Sequence, residues 1–522
     1  MMKKAVFLGV VLALAACAPA VKDKIETTAA AGDIDKILTE AAALFRKGAL
    51  VPLQQACRMY DEIYARPSFR KRAALPYFQA AFLLALRERE IGIAGPDRFN
   101  LCQRILKENP SLVGFQRRLD LASSISPRIK GVMKDLAFGI SGAAWGEALK
   151  QQIEALRLNA AGDEMTAYFY LAVACPSKSP YDKKDDVKAL LEAHPGSILL
   201  AYRAALCPDL DVEALQGVLA AEPEFYEAYG FLGEAALGRG NLISAERDIL
   251  KASDKIPASP YYQILLAGIY FLTEEFERSI EFCDKSIELA PEYRDAYLTK
   301  AIGLSYLQRY RDAIEVLNKI VAMQYYLLGE SHYWLAWNYH ELKDNGQAQL
   351  QIEESKGRLP TNSEVFGLAG TIALENGELD RAEKEFTEAL KYNEANTEAL
   401  FGLGGVADRR ERWAGGAGHY EKAAAVLVRN EGAIQDKIAQ IKAAEIAPER
   451  KTRMLAKKEN QLRILQATRA SAFYSAAVDW HNAGNKEKAL GMAEKAASHP
   501  QFKARAADLL SRIKKMGSNL HI

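Results

Sequence analysis

Residues 363–390 read SEVFGLAGTIALENGELDRAEKEFTEAL. Apolar and small residues recur three or four positions apart on both sides of Gly377, which is typical of two helices that each bury one face. A glycine between two such segments favours a turn. The stretch therefore predicts a hairpin of two short helices.

The same pattern recurs along the chain at a period of 34 residues. Seven repeats align when they are started at Tyr226, Pro260, Arg294, Gly329, Ser363, Thr397 and Ala470. Position 20 of these repeats is Ala245, Ser279, Ala313, Ala348, Ala382, Gly416 and Ala489, and position 8 is Gly233, Ala267, Ala301, Ala336, Gly370, Gly404 and Ala477. Small side chains at both positions predict that the two helices of each hairpin pack closely there. Only Gly416 departs from alanine or serine at position 20.

The repeats resemble the tetratricopeptide repeat (TPR), a helix-turn-helix unit of 34 residues. The Ser363 repeat resembles the family consensus almost position by position. The resemblance implies an all-α fold, an α-solenoid of helix-turn-helix repeats that forms a right-handed superhelix, in which each hairpin buries its apolar face against its neighbours. The resemblance is close over 226–430 and 470–500 and weakens toward the N-terminus.

The domain organisation follows from where the repeats are regular. We predict a lipoprotein signal peptide at 1–16, a lipidated tether at 17–32, degenerate TPR-like hairpins at 33–222 with a joint near 114–147, six TPR units at 223–430, an inserted helical hairpin at 431–469, and a last TPR unit with a capping helix at 470–522. The second arm of the inserted hairpin is basic, with Arg450, Lys451, Arg453, Lys457, Lys458 and Arg463. This arm either contacts lipid headgroups or an acidic partner, or is a solvated helix face.

The N-terminus has the pattern of an export signal. Lys3 and Lys4 precede an uncharged stretch from Ala5 to Ala16, as in the basic and apolar regions of a secretory signal. A helix of this length rises about 18 Å, less than the roughly 30 Å needed to span a bilayer. The ending Leu-Ala-Ala-Cys at Cys17 resembles the lipobox of bacterial lipoproteins, which implies that Cys17 carries a diacylglycerol and becomes the mature N-terminus.

The resemblance also implies which membrane holds the protein. Ala18 follows the cysteine where family members kept at the inner membrane usually have aspartate, so the resemblance implies the outer membrane. The alternative is an ordinary signal peptide, cut near Ala18-Pro19-Ala20, in which the cysteine is incidental.

Composition and motifs exclude several classes of function. The net charge of +1 becomes about −1 once the two lysines of the signal are removed, which disfavours binding to nucleic acid. Cysteine and histidine spacings fit no metal site, and no phosphate loop, nucleophile elbow or His-Glu-x-x-His motif is present. We therefore expect no enzyme activity, cofactor or metal. Cys175 and Cys207 either form a disulfide or, as we prefer, are two buried thiols.

The TPR resemblance also implies a binding surface. In the family, positions 2, 5, 9, 12 and 13 face the concave side, which here selects Tyr261, Phe271, Tyr306, Tyr333, Trp337, His340, Phe401 and Arg409, together with Asp408, Tyr474 and His481. Aromatic side chains are common anchors in interfaces, so we predict a groove for a peptide or protein partner; the alternative is that they fill a tightly wound superhelix. Position 5 lacks the lysine that chaperone-binding members use to hold a C-terminal carboxylate, so carboxylate capture of that kind is excluded.

Two hypotheses for function remain. The first is a non-enzymatic, lipid-anchored scaffold that holds other proteins of a bacterial envelope complex, in secretion, outer-membrane biogenesis or polysaccharide export, with the protein facing the periplasm. The second is a periplasmic lipoprotein accessory of a TRAP-type solute transporter, which binds a substrate-binding protein or a small hydrophobic ligand. A closed apolar pore would favour the second hypothesis, and an open groove the first.

Overall fold

A computed structural model describes residues 31–93, 96–123, 147–174, 184–207, 210–323, 328–444, 446 and 448–515. All the regular structure in these ranges is helical. The prediction of an all-α fold built from helix-turn-helix repeats is therefore confirmed. By its internal contacts the chain divides into an N-terminal part, Met1–Tyr262, and a C-terminal part, Gln263–Ile522. Cys17 and the whole predicted signal peptide lie outside the described residues.

The first twelve helices are α1 (Ala31–Lys47), α2 (Leu50–Tyr64), α3 (Arg70–Glu90), α4 (Pro96–Glu108), α5 (Gln116–Ser123), α6 (Glu147–Ala160), α7 (Glu164–Ala174), α8 (Lys184–Ala193), α9 (Ile198–Ala205), α10 (Val212–Ala221), α11 (Tyr226–Gly238) and α12 (Leu242–Lys255). A short 3₁₀ helix, Pro110–Phe115, lies between α4 and α5. The next are α13 (Pro260–Leu272), α14 (Phe276–Leu289), α15 (Arg294–Tyr306), α16 (Tyr310–Ala322), α17 (Leu328–Glu341), α18 (Asn345–Arg358), α19 (Ser363–Glu375), α20 (Leu379–Tyr392) and α21 (Thr397–Arg409). The last are α22 (Trp413–Ala443), α23 (Pro448–Asn482), α24 (Lys486–Ala497) and α25 (Lys503–Lys515).

All seven repeats share one turn geometry. The residue at position 15 has a positive φ, between 56° and 80°, in Gly240, Glu274, Gln308, Lys343, Gly377, Glu411 and Gly484. The next residue donates its backbone N–H to the carbonyl five positions back, as from Glu378 to Ala373 at 2.9 Å. This left-handed cap ends a helix and satisfies its last carbonyl groups. The turn thus falls at the same position of every repeat.

The small residues are packing contacts, as predicted. Positions 8 and 20 are buried in every repeat, and so is position 27, which is alanine or serine in six of the seven repeats and Ile320 in the other. A Cβ added to Gly370 would lie 2.5 Å from a ring carbon of Phe386, and one added to Gly233 would lie 2.9 Å from the carbonyl oxygen of Ala245. Because both distances are shorter than a van der Waals contact, only glycine fits at these two positions.

Gly416, the exception at position 20, faces two carboxyl groups. A Cβ on this residue would lie 2.9 Å from Oδ1 of Asp408 and closer still to Oδ2 of Asp479. The Tyr420 hydroxyl donates a hydrogen bond of 2.8 Å to the other oxygen of Asp408. Burial, and then the neighbouring Asp408, raises the pKa of Asp479 to about 8. The absence of a side chain at Gly416 therefore makes room for a buried acid pair.

The segment predicted as an inserted hairpin is not a separate element. Residues from 431 onward continue α22, which has 31 residues, and the second arm is the first half of α23, which has 35. Ile434, Ile438 and Ile441 are buried on α22, as their spacing indicates. This apolar stripe continues α22 beyond the end of the repeat. The predicted hairpin is therefore an extension of two repeat helices, α22 and α23.

The N-terminal part contains a buried ionic network. Arg87 on α3 has no exposed surface and pairs with both Glu90 and Glu227. Glu90 accepts hydrogen bonds from the hydroxyls of Tyr168, at 2.5 Å, and Tyr202, at 3.2 Å. The carboxylate of Glu227 also accepts the backbone N–H of Leu50, at 2.8 Å. The network joins helices α3, α7, α9 and α11 and the start of α2.

Two smaller observations complete the fold. Cys207 is buried and disulfide-bonded, so our preference for a free thiol there is wrong; Cys175 lies outside the described residues. No helix in the described ranges is both long enough and apolar enough to cross a membrane.

Candidate functional site

A connected set of aromatic side chains crosses three successive repeats of the C-terminal part. We call this set the aromatic row; its members are Phe271, Phe276, Tyr306, Tyr310, Tyr333, Trp334 and Trp337. Phe276 stacks on Tyr306 with ring centroids 5.0 Å apart and planes 5° apart. Tyr306 lies edge-on to Trp334 at 6.0 Å, and Trp334 lies edge-on to Trp337 at 5.7 Å. These are the geometries that aromatic pairs prefer.

The geometry of the repeat places aromatic side chains next to each other in this row. Tyr306 is the last residue of α15, while Phe276 and Tyr310 are the first residues of α14 and α16. Phe276 and Tyr310 occupy position 17 of successive repeats, and each contacts an aromatic ring of the next repeat, Tyr306 for Phe276 and Trp337 for Tyr310. The row therefore lies next to the turns between the helices.

The row is accessible to a partner. Tyr306 is 53% exposed, and the other members are half-buried. Exposed aromatic side chains that lie together, rather than singly, mark interaction sites on protein surfaces. A partner that covered the row would remove a contiguous aromatic surface from water, which favours association.

Four predicted groove residues belong to the row, namely Phe271, Tyr306, Tyr333 and Trp337. Phe401 lies elsewhere, 5.8 Å from the Tyr420 ring, and lines an open pocket of about 350 Å³. The other residues of this pocket are Ala467, Thr468, Ser471, Gln501 and Phe502.

Three predicted groove residues are engaged within the fold. Tyr261 is fully buried, and its hydroxyl donates to the carboxylate of Glu234, so its assignment to the groove is wrong. The buried His340 places Nε2 at 3.2 Å from Oε2 of Glu375. Arg409 is exposed and donates from Nη1 to the carbonyl of Leu374 at 2.6 Å. A family position indicates which face of a helix a residue occupies, but not what packs over it.

Three members of the row were missed from the sequence. Phe276 and Tyr310 stand 34 residues apart at position 17, which is outside the positions that face inward in the family. Trp334 stands beside Tyr333 at position 6. The recurrence of an aromatic residue at position 17 in two adjacent repeats is a signal that identifies the first two.

Carboxylates lie at one end of the row, beside Tyr333. Glu364 and Glu398 occupy position 2 of successive repeats, and the Thr371 hydroxyl donates to Oε1 of Glu398 at 2.7 Å. Burial, with a smaller contribution from Glu364, raises the pKa of the Glu398 carboxyl. Burial and then these two carboxylates raise the pKa of Tyr333. Tyr333 therefore belongs to the aromatic row and is within electrostatic reach of two carboxylates, which we call the Glu364–Glu398 pair.

The opposite end of the row is next to Glu274. The pKa of Tyr306 is raised by burial and then by this carboxylate. Two lysines of α23 bind Glu274: Lys458 Nζ lies 2.7 Å from Oε1, and Lys457 donates to the backbone carbonyl. Two side chains of the basic arm are thus bound within the C-terminal part.

The arrangement has the character of a binding surface. Within the described ranges, no three His, Cys, Asp or Glu side chains are arranged to hold a metal ion. The row combines apolar rings with carboxylates at both ends. Such a surface is chemically suited to a ligand that offers both apolar and cationic groups.

Comparison with known proteins identifies the repeats in two stretches. Sequence profiles described as "Tetratricopeptide repeat" match residues 260–293 and 368–430. Repeats of this type generally serve as non-enzymatic scaffolds that bind other proteins or peptides.

Two curated proteins are similar over short stretches. Protein O-mannosyl-transferase TMTC1 of Homo sapiens is 23% identical over 163 residues, which cover 30% of this chain and 18% of that protein. An uncharacterized protein of Methanocaldococcus jannaschii is 40% identical over 53 residues, which cover 10% of this chain and 62% of that protein. The chain therefore spans less than two thirds of the length of either relative.

Among solved structures, a tetratricopeptide repeat protein from Parabacteroides merdae ATCC 43184 is similar with a TM-score of 0.35 and 15% sequence identity. The similarity covers 55% of this chain and 98% of that protein.

Proposed function

We propose that this protein is a non-enzymatic scaffold that binds a protein or an extended peptide on the aromatic row. The observation that supports this is the continuity of the row across three repeats together with the exposure of Tyr306. Interfaces are commonly anchored by a few tyrosine, tryptophan and arginine side chains at their centre. The row supplies such anchors on helices, which hold them in fixed positions.

We further propose that the scaffold is a lipoprotein of a bacterial envelope complex, held at the outer membrane and facing the periplasm. The Leu-Ala-Ala-Cys ending at Cys17, directly behind an apolar stretch, supports this part of the proposal. Acyl chains on one cysteine anchor a protein through about 0.8 kcal/mol for each buried methylene. Cys17→Ala is expected to abolish labelling by fatty acid and to release the protein from membranes; retention of both would refute the anchor.

The pocket beside Phe401 is not a site of the kind that the transporter accessory would need. Enclosure of a hydrophobic ligand calls for a closed apolar cavity. This pocket is open, and Thr468, Ser471 and Gln501 are three of its six lining residues. It therefore offers little apolar enclosure.

The experiment that tests the scaffold is crosslinking in the native envelope, followed by identification of the captured proteins. Trp337→Ala and Tyr306→Ala are expected to reduce the capture of specific partners. If both variants capture the same partners as the native protein, the aromatic row is not the binding surface.

A further inference from the structure

We propose that the aromatic row and the Glu364–Glu398 pair form one recognition surface, which selects a partner polypeptide with a lysine or arginine beside an apolar anchor. This inference rests on the proposed function and adds the chemistry of the partner to it.

The aromatic and acidic groups are contiguous through Tyr333. Its ring lies 5.4 Å from that of Trp334, inside the row. The charges of Glu398 and Glu364, and the phenol of Tyr306, all act on the Tyr333 hydroxyl. A ligand that covers Tyr333 would therefore lie beside the rings and within electrostatic reach of the carboxylates.

Glu398 is a partly buried carboxylate without a strong cationic partner. Across the described ranges neither Glu398 nor Glu364 forms an ion pair with lysine or arginine, and the basic side chain near the Glu398 carboxyl is the imidazole of His340. Removing a carboxylate from water is costly unless a cation and hydrogen bonds replace the water. The hydrogen bond from Thr371 replaces part of the lost hydration of the Glu398 carboxylate. An ammonium or guanidinium group from a ligand would supply the missing charge.

The chain binds lysine in this way at the other end of the row. Lys458 forms an ion pair with Glu274, whose carboxylate acts on the exposed Tyr306. Cations are also attracted to the faces of aromatic rings. Charge complementarity therefore favours a cationic group of a partner at the Glu364–Glu398 pair. In the described ranges no lysine forms an ion pair with these two carboxylates.

The test uses the full chain and a random dodecapeptide library displayed on phage. Peptides selected on the native protein are sequenced, and the best are synthesised and titrated against native protein and variants. Glu398→Gln removes the charge but keeps an oxygen that accepts the hydrogen bond from Thr371. Glu388→Gln on α20 is the matched control, because Glu388 pairs with Lys391 away from the row. Tyr306→Ala reports on the row without disturbing a buried side chain.

The expected result is that selected peptides are enriched in lysine or arginine and bind Glu398→Gln about tenfold or more weakly, since removing one partner of a desolvated charge pair costs several kcal/mol. Glu388→Gln is expected to bind them like the native protein. Peptides that depend on Tyr306 but lack basic residues, or that bind Glu398→Gln unchanged, would overturn this inference and leave the proposed function standing. Failure to select any peptide that depends on Tyr306 would overturn both.

Discussion

Lys458 on α23 lies 2.7 Å from the carboxylate of Glu274, although 184 residues of chain separate them. The pair is partly shielded, with side-chain exposures of 16% for the lysine and 33% for the glutamate. A fully exposed ion pair contributes about 0–1 kcal/mol. Lys457 also donates a hydrogen bond to the backbone carbonyl of Glu274. The two lysines therefore hold the basic half of α23 against the turn that contains Glu274.

We predict that Glu274→Gln loosens the first half of α23. The amide keeps the size of the side chain but removes the charge that binds Lys458, so backbone amides near this lysine should exchange with deuterium several times faster. Hydrogen exchange with mass spectrometry measures this. Glu281→Gln is the control, because Glu281 pairs with Lys285 within one exposed helix. Equal protection of α23 in both variants would contradict the role assigned to Glu274.

We predict that Gln308→Gly stabilises the protein by about 0.5–1 kcal/mol. Gln308 has a φ of 59°, where a side chain costs about 1–2 kcal/mol and glycine costs only its greater freedom in the unfolded chain. Gly377→Ala at the same repeat position should destabilise by about 1 kcal/mol, because its φ is 80°. Urea unfolding of both variants measures these changes. A destabilised Gln308→Gly protein would show that this turn depends on its side chain.

The pH dependence of stability should reflect Asp479. Its pKa in the folded protein, about 8, is above the usual value for aspartate, near 4. Between these values the folded state holds a proton that the unfolded state has lost, so the free energy of unfolding should fall as the pH rises from about 4 to about 8, by at most about 1.4 kcal/mol per pH unit. Asp479→Asn should flatten this fall, as measured by urea unfolding at a series of pH values.

Asp508→Asn is the control for this experiment, because Asp508 forms an exposed pair with Arg512. It should leave the pH dependence as in the native protein. If Asp479→Asn also left it unchanged, Asp479 would not be the proton-binding group.

We predict that Arg87→Met destabilises the N-terminal part by about 3–5 kcal/mol. The change leaves Glu227 buried without its cation, and an uncompensated buried charge has a cost of this size. Arg157→Met should destabilise much less, since Arg157 forms an exposed pair with Glu154. Thermal unfolding followed by circular dichroism compares the two. A small effect of Arg87→Met would show that the network contributes little to stability.

The fold is largely visible in the sequence, whereas contacts between distant parts of the chain are not. Repetition made the fold predictable: small residues such as Ala382 and Ala389 recur at fixed positions because every hairpin packs in the same way. The Arg87 network was not predictable, because Arg87 and Glu227 are separated by 140 residues and no repeat relates them. The contact between Lys458 and Glu274 escaped prediction for the same reason.

The candidate site was predictable in part. Tyr306, Tyr333 and Trp337 were found because their family positions face one side of the hairpin. Tyr261 shares such a position but is buried, and its hydroxyl donates to Glu234 within the fold. Exposure depends on the neighbouring helices, which no single position in a repeat encodes.

The most direct test of the central claim is crosslinking in the native envelope with three forms of the protein: native, Tyr306→Ala and Tyr392→Ala. Both tyrosines are exposed, at 53% and 37%, so neither change opens a cavity in the core; Tyr392 lies outside the aromatic row. We predict that Tyr306→Ala loses captured partners that Tyr392→Ala and the native protein retain. If all three forms capture the same partners in the same amounts, the aromatic row is not the surface that binds them.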